Sequence, residues 1–327
     1  MELEVKVERW PLRYPLRIAR YSWEYTDALV VDLSSNGVHG RGECAGVYYR
    51  DDSLERCRAD IERVADAVRA GIRRTDLLDL LPAGGARNAL DCALWELESR
   101  LRGKPVWELA GLHAPRPLVT TFTLGADEPI VMAERARAFS SARALKLKLT
   151  GDGLDAERVV AVRMARPTVW LAVDANQGFT RESLAQLMPT LVEARVKLIE
   201  QPFPVERDVD MEGLRSPIPV AADESAQDTS DLAALAGRFD IVNIKLDKCG
   251  GLTSALAMAV ESRRLGLGVM VGNMCGTSLA MAPGFVLGQS CDIVDLDGPL
   301  LLAADRPVRA SYDEGFIWCS ESVWGAY

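Results

Sequence analysis

Histidine is nearly absent: the 327 residues hold two, His39 and His113. A mechanism built on imidazole has little material, and no Ser-His-Asp set is readily assembled. No run of 18 or more apolar residues exists, so nothing reads as a membrane span. The seven cysteines are scattered and include no C-x-x-C pair. They read as reduced thiols, which predicts a cytoplasmic protein. Basic charge is also short. A net charge of −9 argues against nucleic acid or an anionic membrane as partner. The opening MELEVKVERW is charged and alternating, which suits a strand and not a signal peptide.

What is present is an ordinary globular composition, on a chain long enough for a large core and two domains. Residues 1–114 read as an α+β domain. ELEVKVERW alternates with period two, as a half-buried antiparallel strand does. DALVVDL, SSNG and VHGRGECA read as a hairpin turning at Asn36-Gly37. Two helical stretches follow, Ser53 to Ala70 and ARNALDCALWELESRLRG, the second stopped by Gly103.

From about residue 115 the texture changes. Short apolar runs recur at 120–124, 144–149, 169–174, 196–202, 219–224, 241–247, 267–273 and 292–297, their starts 22 to 27 residues apart. That is the length of one strand-plus-helix unit, and eight units predict a (β/α)8 barrel. A doubly wound sheet is the alternative, but it lacks so even a rhythm of eight. Residues 115–299 would form this domain. The remaining 300–327 have no barrel unit left to build and are expected to pack back on the first domain.

Active-site groups of a barrel sit at the C-terminal ends of its strands. Here those ends carry Lys146 and Lys148, then Asp174, Glu200, Asp223, Lys245, Asn273, and finally Asp295 and Asp297. One isolated Asp at a strand end is ordinarily a helix cap or a solvated loop acid. Three consecutive strands that each end in an acid form a converging arc, and such an arc needs a cation. Hard oxygen ligands with open positions suit Mg²⁺. The lysines flank the arc, from the second strand and from the sixth.

A lysine must lose its proton to act as a base. Lys146 and Lys148 lie two apart on one strand, so they share a face. At about 7 Å and an effective dielectric of about 20 they repel by roughly 2.4 kcal/mol, equivalent to about 1.7 pKa units. The expectation is that this crowding makes one lysine basic at neutral pH. The ordinary alternative is a pair of lysines snorkelling from an edge strand, which a closed barrel does not have.

The set KLK, VDANQG, IEQP, ADES and NIKLDKCGG, with GRGECA and ARNALDCALWELE in the first domain, resembles the enolase superfamily, and within it the muconate-lactonizing-enzyme subgroup. The resemblance runs nearly end to end. It implies an α+β capping domain on a modified (β/α)7β TIM barrel, and a Lys base with one Mg²⁺ per site. DLDGP on the eighth strand resembles the D-x-D with which the dipeptide epimerases of that subgroup hold a substrate's free α-ammonium. Two carboxylates suit a cationic amine; the alternative is a solvated turn before Gly298-Pro299. The implied reaction is a 1,1-proton transfer at the α-carbon of a dipeptide's C-terminal residue. Lys148 and Lys245 are the implied bases on opposite faces, with Lys146 as their electrostatic partner. Asp174, Glu200 and Asp223 are the implied Mg²⁺ ligands, and Asp295 and Asp297 bind substrate. Lys248, three residues past Lys245, is expected to point elsewhere.

In this family the loop after the first strand closes over the pocket. Here it is IARYSWEYTD, residues 18–27. Arg20 lies near where the resemblance places an arginine for a glutamate side chain, which implies L-Ala-L-Glu to L-Ala-D-Glu epimerisation. Tyr21, Trp23 and Tyr25 in the same stretch leave open a larger or hydrophobic dipeptide, or mere packing between domains. N-acylamino-acid racemase, muconate cycloisomerase and o-succinylbenzoate synthase are runners-up, against which the D-x-D argues. A Schiff-base aldolase and a catalytically silent barrel are the remaining alternatives. The family's symmetric assemblies leave a homo-oligomer open.

Overall fold

The computed structural model describes residues 1–325. Strands β1 (Glu2–Arg17), β2 (Ser22–Ser35) and β3 (Val38–Cys44) form an antiparallel sheet in that order. Asn36 and Gly37 join β2 to β3 at φ 54° and 77°, the left-handed pair a two-residue hairpin needs. The stretch 18–27, expected as a loop, is a short turn at 18–21 followed by the start of β2. The β-forming Trp23, Tyr25 and Thr26 pair with Leu16, Pro11 and Trp10, across a register slip between Pro11 and Leu16.

One face of this sheet buries Leu29, Val31 and Leu33 against α1 (Leu54–Ala70) and α2 (Gly85–Arg102). Ser53 caps α1 by accepting the Arg56 N–H, and Gly103, at φ 61°, ends α2. The Gly40 and Gly42 of GRGECA let α2 lie close. A Cβ at Gly42 would sit 2.0 Å from the Ala89 carbonyl oxygen, and one at Gly40 2.2 Å from that of Ala93.

After a two-residue β4 (Leu118–Val119) come β5 (Thr121–Leu124), β6 (Ala144–Lys148), β7 (Trp170–Asp174), β8 (Leu198–Glu200), β9 (Val220–Ala222), β10 (Ile241–Lys245), β11 (Gly268–Gly272) and β12 (Ile293–Val294). These last eight are parallel neighbours in chain order, each inside one of the eight apolar runs. Side chains close the seam between β12 and β5. The Leu296 N–H donates to Thr120 Oγ1 at 2.9 Å, the Thr123 N–H to Asp297 Oδ2 at 2.5 Å, and the Thr121 hydroxyl to Asp295.

The result is a modified (β/α)7β barrel under an α+β cap, but its helical layer is less even than the strand rhythm. Full helices follow β5, β6, β7, β10 and β11, whereas β8 leads into the 3-10 run Val205–Met211 and β9 into the one-turn helix Leu232–Leu235. The strands explain their own burial. Leu145, Leu147, Leu171, Val173 and Ile199 point out into the helix-covered core. The opposite parity points inward, where Ala172, Leu198, Ala221 and Met270 fill the lower barrel. Lys146 and Lys148 have that inward parity.

The last segment touches both parts of the molecule. Strands β13 (Ser311–Asp313) and β14 (Phe316–Trp318) pair with β4. Leu302 bridges Leu12, and Trp324 Nε1 donates to the Arg41 carbonyl at 2.9 Å.

Candidate active site

Strand register assembles the site. Lys148 on β6 lies opposite Asp174 on β7, which lies opposite Glu200 on β8. Asp223 follows the last residue of β9. Asp174, Glu200 and Asp223 are buried, and each offers an oxygen within 4.8 Å of the others. Burial first, then the charge of Asp174, pushes Glu200 up to about 8. Glu200 is thus the acid of the three that resists ionisation, and a bound cation would ease that. An all-carboxylate donor set fits a hard cation such as Mg²⁺.

Each acid has its own support. Asn176, at φ 42°, donates its backbone N–H to Asp174 Oδ1 at 2.9 Å. Asn243 Nδ2 donates to Glu200 Oε1 at 2.9 Å. The N–H of Asp223 donates at 2.9 Å to Oε1 of Gln201, which is itself held at φ 35°. Non-glycine residues in that region store strain, and here they aim the groups around the acids.

The lysines pair with the acids. Lys148 Nζ is 2.6 Å from Asp174, and Lys245 Nζ 2.6 Å from Asp223. Lys146 Nζ meets Asp174 at 3.1 Å, Glu200 at 2.8 Å and Asp295 at 2.8 Å. Burial pulls Lys146 down, but the carboxylates of Asp295, Glu200 and Asp174 outweigh it and hold its ammonium well above the ordinary lysine value. Lys146 therefore stays an ammonium. One expectation needs correcting here. Lys248 does not point elsewhere: it is fully buried and its Nζ lies 2.5 Å from Asp223 Oδ1. It sits on the helical turn Leu246–Cys249, past the end of β10, where strand parity no longer says where a side chain goes.

Burial alone raises Asp174, but Lys148 and Lys146 bring it down to about 2. Asp223 is likewise held well below the carboxylate range by Lys245, Lys248 and Lys146, against its burial. Lys245 is drawn down by burial and lifted further by Asp223, ending well above its usual value.

Lys148 and Lys245 line one cavity of about 510 Å³, together with Asn176, Asn273, Trp23 and Tyr48. Its roof is the capping domain: Ile18, Tyr25 and Thr26 around the β1–β2 turn, and Ala45 and Gly46 after β3. Tyr21 stacks on Trp23 at 5.5 Å, and Tyr48 meets both edge-on. Arg20 lines a smaller adjoining cavity of about 360 Å³, with Tyr21, Tyr48 and Asn176.

The D-x-D sits differently from expectation. Strand β12 stops at Val294, so Asp295 and Asp297 lie beyond it. Both are buried and already bonded: Asp295 to Lys146 and Thr121, Asp297 to the Thr123 N–H. Burial and then Asp295 push Asp297 up to about 7. Thr123 and Asn273 both hold this pair, Thr123 through its N–H to Asp297 and Asn273 through its Nδ2, which donates to the Asp295 carbonyl at 2.6 Å.

The family described as mandelate racemase / muconate lactonizing enzyme, N-terminal domain, matches residues 1–111, and that described as enolase C-terminal domain-like matches 131–297. The chain is similar to L-Ala-D/L-Glu epimerase of Escherichia coli (strain K12), 41% identical over 96% of this chain and 98% of that one. It is also similar to N-acetyl-D-glutamate racemase of Pseudoalteromonas sp, 37% identical over 91% of this chain and 95% of the other. Among solved structures, an enolase family member from Agrobacterium tumefaciens with homology to dipeptide epimerases superposes with a TM-score of 0.96 at 38% identity, over 99% of each chain. That protein holds sodium and L-Ala-L-Glu with an ordered loop.

Proposed function

The chain belongs to the mandelate racemase / muconate lactonizing enzyme family of the enolase superfamily, and from that premise we propose that it is an isomerase that epimerises dipeptides at the α-carbon of the C-terminal residue. The observation that carries this reading is that Lys148 and Lys245, from strands β6 and β10, line one cavity and flank the three buried acids. Asp174, Glu200 and Asp223 hold one Mg²⁺ in this reading. Bound there, the ion supplies positive charge at the substrate carboxylate, which makes the adjacent α-proton more acidic.

The protein's own groups do the rest. Lys148 and Lys245 are each held by one site carboxylate, Asp174 and Asp223. Freed from that pairing, one takes the α-proton and the other, as ammonium, returns a proton to the opposite face. Because the two exchange roles, both epimers are substrates. Lys146 stays charged and faces the negative charge that moves onto the carboxylate. Ile18, Trp23, Tyr25 and Tyr48 cover the cavity from the side of the cap. Arg20, at the adjoining cavity, meets a glutamate side chain, and L-Ala-L-Glu is the substrate we assign.

A second reading is favoured by one observation. Asp295 and Asp297 already have hydrogen-bond partners within the barrel, so their hold on a free α-ammonium is not their only use. A glutamate with an N-acyl group in place of the first residue is then the competing substrate, as the resemblance to the racemase suggests. The test is α-proton exchange in D₂O, followed by mass, with L-Ala-L-Glu, L-Ala-L-Leu and N-acetyl-L-glutamate, each with Mg²⁺ and with EDTA. Exchange confined to L-Ala-L-Glu, and lost with EDTA, is the expected result. Exchange of N-acetyl-L-glutamate alone selects the second reading, and exchange of none of the three overturns both.

A further inference from the structure

The mechanism leaves a buried cation at the acid cluster unused. Lys248 is fully enclosed, yet it reaches the acid cluster. Its Nζ donates to Asp223 Oδ1 at 2.5 Å, to the Asp223 carbonyl at 2.5 Å and to the Asn243 carbonyl at 3.1 Å. An ammonium has three N–H groups, so all are engaged. Two of its acceptors are backbone carbonyls, that of Asp223 just past β9 and that of Asn243 in the middle of β10. Lys245, which lines the cavity, holds the other oxygen of Asp223, Oδ2, at 2.6 Å. Asp223 therefore has a rear oxygen on a fully enclosed lysine that backbone carbonyls also hold, and a front oxygen on the lysine that lines the cavity.

We propose that Lys248 is a positioning residue for Asp223. It fixes the carboxylate's orientation and balances its charge from behind, so that the front oxygen serves a metal ion and Lys245 is free for proton transfer. The same turn anchors itself in the cap. Asp247 accepts the N–H groups of Ala45 and Gly46 at 2.9 and 3.2 Å, and Arg87 donates to the Cys249 carbonyl at 2.7 Å. Lys248 is thus held from both sides, as an orienting group must be.

This inference rests on the metal reading above, and the experiment separates the two. Mn²⁺ is titrated calorimetrically, without substrate, into wild-type protein and the Lys248→Met variant, whose fold is checked by circular dichroism. Support around a ligating carboxylate is worth about 10- to 100-fold in metal affinity, so the variant should bind Mn²⁺ weaker by that factor. Equal or tighter binding by a folded variant overturns the role of Lys248 and leaves the metal reading standing. No binding by the wild type overturns the metal reading itself. Should the variant not fold, the crystal structure of the Mn²⁺-loaded wild type decides: Lys248 still within hydrogen-bond reach of Asp223 supports the proposal, and a released Lys248 overturns it.

Discussion

Lys146 and Lys148 share a face of β6 but not a fate. The repulsion between them is roughly 2.4 kcal/mol at about 7 Å. Against it stand the contacts of Lys146 with Asp295 at 2.8 Å and Asp174 at 3.1 Å. Each is worth roughly 5 to 6 kcal/mol of attraction at an effective dielectric of about 20, before the cost of desolvation. Attraction wins, and Lys146 remains an ammonium. Lys148, half-buried and open to the cavity, is the one of the two that can approach a substrate. The expected outcome of Lys148→Ala or Lys245→Ala is loss of epimerisation by about 10²- to 10⁴-fold, the usual worth of a positioned base. Each variant should keep α-proton exchange in D₂O for one epimer only, and the two variants for opposite epimers. Near wild-type turnover in either variant removes the two-base mechanism.

At the scale of the element, the strands were legible because each is an apolar run buried on both faces. Their polar ends were legible for the same reason: a carboxylate or lysine stands out against leucine and valine. Outside the strands the two cap helices and Asp223 were also legible, but other features were not. The length of the β8 and β9 connections says nothing about whether they coil as α or 3-10. The D-x-D lies past β12, where parity no longer sets direction, and Lys248 lies on a turn after β10. The stretch 18–27 was misread because its aromatics, taken as loop contacts, are also good strand formers.

Helix α2 carries its own testable consequence. Asp91 is buried and accepts the N–H and hydroxyl of Thr253, at 2.9 and 2.5 Å, on the helix after Lys245's turn. Burial, only partly offset by those bonds, raises Asp91 from 3.8 to about 6. The folded state therefore keeps a proton that the unfolded chain releases between about pH 4 and 6. Stability falls as pH rises through that window and levels off above it. Asp91→Asn removes the titration. The difference in unfolding free energy between wild type and variant, from urea titrations, should drop by about 2 kcal/mol between pH 4 and 6, out of about 3 kcal/mol for the whole titration. A flat difference across that range refutes the assignment.

At the scale of the whole molecule, the question is what holds a sheet-and-helix cap over a separate barrel. One arginine from the last segment reaches both. Arg306 donates to Glu8 on β1 at 2.7 Å, to Glu43 on β3 at 2.8 Å, and to the Thr277 hydroxyl beside the barrel helix Ser278–Gly288 at 2.7 Å. Glu43 is buried and bonds the Thr277 N–H at 2.8 Å, so it depends on a cation that arrives from far along the chain. Removing one member of a buried ion pair strands the other, at a cost of about 3 to 5 kcal/mol. Arg306→Ala should lose about that much stability in urea unfolding, although Arg306 lies outside the cavity that holds Lys148 and Lys245. Glu43→Gln made together with Arg306→Ala should recover part of the loss, because no charge is then left unpaired. A double variant as unstable as the sum of the two single ones would show that the knot acts through packing and not through charge.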